Sequence, residues 1–319
     1  MGSALPDRVM TNADFEKTLD TSDEWIRTRT GIRERRIAAP EENTLTLAVT
    51  AGERAIRDAG LTPADIDMIV LATTTPALPL PSTAAMVQHA LGCRHIPAFD
   101  VSAACSGFVY AFTTAAHFLA SGQYRHVLVI GAETMSRITD FEDRTVCILL
   151  GDGAGAAVLS REENGVSGLY AHRLHADGSG ADLIWVPAGG SKEPASIRTV
   201  NERLHFMKMK GREVYKFAVV RLQELITETA AAAGLAVTDL NMVVPHQSNL
   251  RMIESAAEKL GIPMERFAIN IDRCGNTSAA SIPLAMDEAR RQGRIKSGDW
   301  VMLVGIGAGL TWASALIRA

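Results

Sequence analysis

The sequence predicts an α/β protein made of two copies of one half-domain, each a mixed five-stranded sheet covered by helices, stacked in an α-β-α-β-α order. Three observations point there. Stretches of strand length alternate with stretches of helical spacing, the strands are apolar almost without interruption, and the run of elements in the first half returns about 174 residues later. Near-continuous apolar strands belong to sheets buried on both faces, and a repeat of this length is a duplicated half-domain, far too long for a solenoid unit. The expected halves are residues 1–165 and 166–319.

In chain order, residues 47–61 read as a helix closed by Gly60, and Asp65-Ile-Asp-Met-Ile-Val-Leu-Ala72 follows as a buried strand. The second half repeats this with a helix over 219–235 closed by Gly234, then Asp239-Leu-Asn-Met-Val-Val-Pro245. A helix over 86–92 and a strand over 96–101 correspond to a helix over 253–261 and a strand over 267–271. His126-Val-Leu-Val-Ile-Gly131 corresponds to Trp300-Val-Met-Leu-Val-Gly305, and residues 155–159 to 313–317. The second half opens on a strand, Gly168-Leu-Tyr-Ala-His-Arg-Leu174, for which the first half has no counterpart before Met1-Gly-Ser. The expectation is therefore a first sheet lacking its first strand, or a start further upstream.

With 319 residues, 47% of them hydrophobic, the chain can build one large or two medium cores. A net charge of −4 gives no field that would draw it to nucleic acid or to an anionic membrane. Cys93, Cys105, Cys147 and Cys274 form no C-x-x-C and no metal-ligand spacing, which suits a reducing cytoplasm. No export signal and no run long enough to span a bilayer is present.

The chemistry centres on Pro97-Ala-Phe-Asp-Val-Ser-Ala-Ala-Cys105-Ser-Gly107, a strand that enters a helix over 106–119 through small residues. Cys105 at such a joint sits near a helix N-terminus, whose free N–H groups favour a thiolate and hold an oxyanion. A small buried hydrophobe is the other reading of the same cysteine. His246 follows the second strand of the second half, and Asn276, in Cys274-Gly-Asn276-Thr-Ser278, follows its third. Singly they read as a core histidine and a turn residue; together with Cys105 they stand at equivalent strand ends, where duplicated folds assemble sites. Gly151-Asp-Gly-Ala-Gly155 and Gly305-Ile-Gly-Ala-Gly309 lack the lysine of a phosphate loop and lead into strands, so close backbone packing is expected of them. Arg27, Arg29, Arg33, Arg35 and Arg36 follow Trp25 as either a solvated loop or a set of phosphate forks. Lys208, Lys210, Arg212 and Lys216 form a second basic group.

Thr21-Ser-Asp-Glu-Trp-Ile-Arg-Thr-Arg-Thr-Gly-Ile-Arg33, Ala104-Cys-Ser-Gly107, Gly151-Asp-Gly-Ala-Gly155, Pro245-His-Gln-Ser-Asn249, Gly275-Asn-Thr-Ser278 and Gly307-Ala-Gly-Leu-Thr-Trp312 occur in order over nearly the whole chain. Together they resemble β-ketoacyl-acyl-carrier-protein synthase III, a thiolase-fold condensing enzyme that starts fatty-acid synthesis. The resemblance implies a triad of Cys105, His246 and Asn276, with an oxyanion hole from the N–H groups of Cys105 and Ala308. It implies a coenzyme A tunnel lined by Thr21, Trp25, Arg29, Arg144, Tyr215, Asn249 and Arg251, with the adenine between Trp25 and Arg144. It further implies carrier-protein docking at Lys216, Arg251 and Lys259, a homodimer in which the partner's residue at position 80 caps the acyl pocket, and no cofactor or metal.

The chain departs from the family pattern at Ser248, at Glu258 beside Lys259, and at Leu80, where the best-known members carry a phenylalanine. The expected partners are an acyl-CoA and malonyl-acyl-carrier protein. The alternatives are a sister reaction, such as polyketide or quinolone starter condensation or acyl transfer, and a non-catalytic acyl-CoA-binding member. A papain-like hydrolase is excluded because its Cys-Gly-x-Cys-Trp signature is absent.

Overall fold

The structure, a computed structural model, describes residues 1–161 and 165–319. The first half runs β1 (Gly2–Ala4), β2 (Val9–Thr11), α1 (Asn12–Glu16), α2 (Asp23–Thr30), β3 (Glu34–Arg36), α3 (Thr44–Asp58), β4 (Met68–Ala72), α4 (Thr83–Ala90), β5 (Ala98–Val101), α5 (Gly107–Ala120), β6 (His126–Thr134) and β7 (Asp152–Ser160). The second runs β8 (Gly168–Ala176), β9 (Ile184–Trp185), α6 (Ile197–Asn201), β10 (Lys208–Met209), α7 (Gly211–Ala232), β11 (Met242–Pro245), α8 (Leu250–Leu260), α9 (Ile271–Cys274), α10 (Ser281–Arg291), β12 (Trp300–Gly307) and β13 (Thr311–Arg318). The connection between the halves passes through residues 162–164, outside the described residues.

The first sheet has the order β1-β7-β6-β4-β5 and the second β8-β13-β12-β11, so equivalent strands hold equivalent places. Central strands pair in parallel (β4 with β5 and β6, β11 with β12) and outer ones antiparallel. Three apolar clusters give the layering. The largest packs α5 and α10 between the two sheets, through Phe108, Phe112, Ile282 and Met286 against Val70, Val129, Val244 and Leu303. A second covers the outer face of the first sheet with α3 and α4, and a third the outer face of the second with α7 and α8. The order is α-β-α-β-α. Burial on both faces is what the continuous apolar strands required, and Met68–Ala72 is buried at every position.

Two expectations about the sheets need correction. The first strand of the first half is present: Gly2, Ser3 and Ala4 pair antiparallel with Ala156, Gly155 and Ala154. It is only three residues long against nine in β8, too short to show a period. Conversely, residues 267–271 do not form a fifth strand in the second sheet. Phe267 makes a single bridge to Val243, and Ala268 N–H donates to Val243. The next N–H groups, of Asn270 and Ile271, donate to the Gln247 side chain at 3.1 and 3.2 Å, and the chain turns into α9. A side-chain acceptor has replaced the ladder.

Helix α7 begins at Gly211, eight residues before the predicted start, and its first two turns line the site described below.

Candidate active site

Cys105 lies in a single 3-10 turn, Ala104–Ser106, between β5 and α5. Ala104 holds φ at +46°, the left-handed region a non-glycine residue adopts at a cost. Strand β12 presses against this turn: a Cβ on Gly307 would come within 2.6 Å of the Cys105 nitrogen, so only glycine fits there. His246 is the first residue after β11, and its N–H donates to Val304 at 2.8 Å. Asn276 follows α9; its N–H donates to Leu149 at 2.8 Å and its carbonyl accepts from Gly151 at 3.0 Å. The Gly151 cluster thus serves backbone packing, since a Cβ at Gly151 would lie 2.3 Å from the Cys274 carbonyl.

Cys105, His246 and Asn276 line one cavity of about 220 Å³. Its walls are mostly apolar, from Val214, Phe217 and Leu222 of α7, Met252 and Ile253 of α8, and Ile306 of β12. A second cavity of about 220 Å³ shares Cys105 and Asn276 and adds Ser278, Ala308 and an apolar lining that includes Met135, Ile138 and Met207. The cysteine therefore stands where two apolar chambers meet.

Hydrogen bonds fix how the polar groups are presented. Asn276 Oδ1 accepts the Ser278 N–H at 2.8 Å, so the carboxamide keeps Nδ2 as its free donor end. His246 Nδ1 lies 2.7 Å from Ser281 Oγ, which also lies 2.8 Å from the Ser278 carbonyl. With the hydroxyl hydrogen on that carbonyl, Nδ1 is protonated and Nε2 carries a lone pair. With the hydroxyl turned to Nδ1, Nε2 becomes a donor. Cys105 Sγ donates to Ser278 Oγ at 3.6 Å, and Ser278 Oγ donates to Glu133 at 3.1 Å.

Burial dominates the protonation states. It drives the Cys105 thiol up to about 12, and the Glu133 carboxylate adds to the rise. Burial therefore works against the thiolate expected at the helix N-terminus. Burial also holds His246 down at about 3, a neutral imidazole.

The residues expected along a coenzyme A tunnel divide. Tyr215 and Asn249 line the cavity; Thr21, Trp25, Arg29, Arg144 and Arg251 lie outside its lining. Asn249 caps α8 through the Arg251 N–H and ties it to α2 by donating to the Arg29 carbonyl at 3.0 Å. Trp25, 40% exposed, carries the guanidinium carbons of Arg29 and Arg144 at 5.6 and 5.9 Å from its ring centroid. Arg144 is held by Asp20. Arg35 does not belong with the arginines grouped in sequence: it is fully buried, over the Phe15 ring, and donates to Met10, Asn12 and Ile148. Leu80 is 85% exposed and lines neither cavity. Lys216, Arg251 and Lys259 are exposed and form no ion pair among the described residues, whereas Lys208 and Lys210 pair with Asp140 and Asp182. Among the described residues no group of three or more His, Cys, Asp or Glu could hold a metal ion.

Sequence reasoning passed over Ser278, Ser281 and Glu133. For Glu133 a signal existed, a carboxylate inside the apolar strand that opens at His126.

Two family descriptions match the chain: 3-oxoacyl-[acyl-carrier-protein (ACP)] synthase III over residues 99–178, and its C-terminal part over residues 230–319. The chain is 51% identical to a β-ketoacyl-[acyl-carrier-protein] synthase III of Caldanaerobacter subterraneus subsp. tengcongensis, covering 99% of this chain and 96% of that one. It is likewise 51% identical to a protein of the same name from Erythrobacter litoralis, over 99% of this chain and 97% of that one. Among solved structures, the 3-oxoacyl-[acyl-carrier-protein] synthase III of Aquifex aeolicus VF5 superposes with a TM-score of 0.92 at 46% identity, covering 100% of this chain and 98% of that one.

Proposed function

The chain belongs to the β-ketoacyl-[acyl-carrier-protein] synthase III family, and we propose that it runs that family's reaction on Cys105, His246 and Asn276. It is an acyltransferase of the thiolase fold that condenses an acyl group from acyl-CoA with malonyl-acyl-carrier protein, initiating fatty-acid synthesis. The observation that carries the assignment of residues is the single cavity lined by a thiol, an imidazole and a carboxamide from three separate stretches of the chain, after β5, β11 and α9.

In the first half-reaction Cys105 Sγ attacks the acyl-CoA thioester. The N–H groups of Cys105 and Ala308 receive the oxyanion, and coenzyme A leaves. The acyl chain occupies the apolar chamber that includes Met135, Ile138 and Met207, while the pantetheine arm lies along the wall that carries Tyr215 and Asn249. Trp25, bracketed by two guanidinium groups, takes the adenine end, with Thr21 and Arg29 beside it. In the second half-reaction the malonyl thioester oxygen sits between Asn276 Nδ2 and His246 Nε2–H, the state in which Ser281 turns its hydroxyl to Nδ1. Carbon dioxide departs, and the enolate is held by the two neutral donors. Its carbon attacks the acyl-cysteine carbonyl, breaking the bond to Cys105 Sγ, which leaves as a thiolate and takes a proton from solvent, to give a 3-oxoacyl-carrier protein. One such donor is worth about 3–4 kcal/mol in the transition state. The electron count closes without a metal or redox cofactor.

Lys216, Arg251 and Lys259, exposed and in no ion pair among the described residues, receive the carrier protein, and Leu80 closes the acyl chamber of a second copy in a homodimer. The four free cysteines accord with a cytoplasmic site of action. No helix among the described residues is long and apolar enough to cross a membrane.

The test is intact-mass measurement of Cys105 across a panel of acyl-CoAs, followed by malonyl-acyl-carrier protein. The expected result is a mass gain equal to the acyl group, then its loss with release of a 3-oxoacyl-carrier protein. A cysteine that no acyl-CoA modifies would overturn the assignment.

A further inference from the structure

One buried ionisable group has no part in the chemistry above. Glu133, the second-last residue of β6, is fully buried and forms no ion pair among the described residues. Its carboxylate accepts from the hydroxyls of Thr73, Thr74 and Thr75 and from the N–H groups of Thr74 and Thr75, at distances from 2.5 to 3.2 Å. The remaining donor is Ser278 Oγ, 3.1 Å from Oε1. A carboxylate buried among amides and hydroxyls, with no cation, is unusual in a core and is found where chemistry calls for it.

The geometry links this carboxylate to the nucleophile. A serine hydroxyl has one hydrogen, and here it points to Glu133, so Ser278 Oγ presents a lone pair to the Cys105 S–H 3.6 Å away. Among the described residues the Cys105 thiol bonds to Ser278 and not to His246. The two bases differ in strength as well: burial depresses His246 to about 3 and pushes Glu133 upward, so the carboxylate is the better proton acceptor. Other titratable groups on the elements packed around β6 are already engaged. Asp152 of β7 accepts from Ala38 and Ser136, and Asp287 of α10 accepts from Ser3 and Arg291.

We propose that Glu133, acting through the Ser278 hydroxyl, takes up the Cys105 proton during acylation and returns it to the departing coenzyme A sulfur. The proposal rests on the acyl-cysteine reading above. As Sγ forms its bond to the thioester carbon, the S–H proton moves to Ser278 Oγ and the Ser278 hydroxyl proton moves to Glu133 Oε1. When the carbon–sulfur bond to coenzyme A breaks, Ser278 Oγ–H protonates the leaving thiolate and Glu133 restores the serine. The net change is thiol plus acyl-CoA to acyl-cysteine plus free coenzyme A, with every proton accounted for. Ser278 touches the reacting sulfur; Glu133 acts through it.

Ser278→Ala isolates the relay, because the N–H that orients Asn276 and the carbonyl that meets Ser281 are backbone groups and stay in place. Rapid-quench mass measurement of Cys105 acylation is compared with alkylation of the same thiol by iodoacetamide, each as a function of pH. The relay predicts acylation slowed by about 100-fold or more in Ser278→Ala and Glu133→Gln. It predicts alkylation slowed far less than acylation in Ser278→Ala, which loses a hydrogen bond that lowers the thiol pKa, and faster alkylation in Glu133→Gln because the negative charge that opposes the thiolate is gone. Glu133→Asp should recover part of the acylation rate. Acylation within threefold of the unaltered protein overturns the relay, and so does an equal slowing of acylation and alkylation, the mark of a merely structural role. If Glu133→Gln does not fold, Ser278→Ala decides alone. Should the unaltered protein itself take no acyl group, the acyl-cysteine reading fails and the relay with it, an outcome distinct from normal acylation that the variants leave unslowed.

Discussion

Cys105 Sγ and Ser278 Oγ lie 3.6 Å apart across the seam between the two halves, each in the turn that leads into a central helix. The turns are matched as well as adjacent: Ala104 and Ser278, separated by the 174-residue repeat, hold φ at +46° and +47°. Duplication has placed two left-handed turns face to face, one carrying the thiol and the other its hydroxyl partner.

That geometry makes position 104 sensitive to side-chain branching. Ala104→Val puts a β-branched residue into the left-handed region, at a further cost of about 1–3 kcal/mol. Its melting temperature should fall by several degrees and acylation of Cys105 should slow. Ala104→Gly should melt close to the unaltered protein, because relief of the strain offsets the added freedom of the unfolded chain. Equal melting of the valine variant would show that the turn is unstrained.

The two half-reactions separate by mutation. Cys105→Ala should abolish acyl transfer. His246→Ala should keep much of the acylation and lose decarboxylative condensation. Ser281→Ala removes the partner of His246 Nδ1, and should lower the condensation kcat about tenfold with little change in acylation. Single-turnover measurement of each step checks all three; normal condensation in His246→Ala would refute the division.

Stability should track the His246 ring on the acid side. Its pKa is depressed from 6.5 to about 3 by folding, so the unfolded chain binds more protons between those values. The stability of the neutral ring is complete above pH 6.5 and is lost as pH falls toward 3. Cys105, Cys147 and Cys274 act at the other end: burial raises them from 9.0 to about 12, 11 and 12, so stability falls as pH rises above 9.0. The drop in melting temperature from pH 7 to pH 5 should be smaller in His246→Gln, and an unchanged slope would count against the buried neutral imidazole.

Two neighbouring cationic regions should respond in opposite ways. Arg35→Ala leaves two buried acceptors and one partly buried one without this donor, and should cost about 2–3 kcal/mol of stability while leaving the KM for acyl-CoA unchanged in the folded fraction. Trp25→Ala, at an exposed ring, should raise that KM several-fold with little change in melting temperature. Thermal melts paired with steady-state kinetics separate the two, and a raised KM in Arg35→Ala would restore it to the ligand site.

The sequence alone determined the alternation of strands and helices, the repeat and the strand ends at which Cys105 and His246 stand, because hydrophobic period and turn residues are local properties. It did not reveal β1, since three residues carry no period, nor the loss of a strand after Phe267, since that depends on Gln247 reaching the N–H groups of Asn270 and Ile271. Arg35 looked like its exposed neighbours until the fold closed over it. Only the tertiary structure decided that burial works against a thiolate at Cys105 and that Glu133 stands behind Ser278. Those outcomes depend on burial and on which donor meets which acceptor across more than a hundred residues of chain. Such meetings are set by packing, which no local pattern encodes.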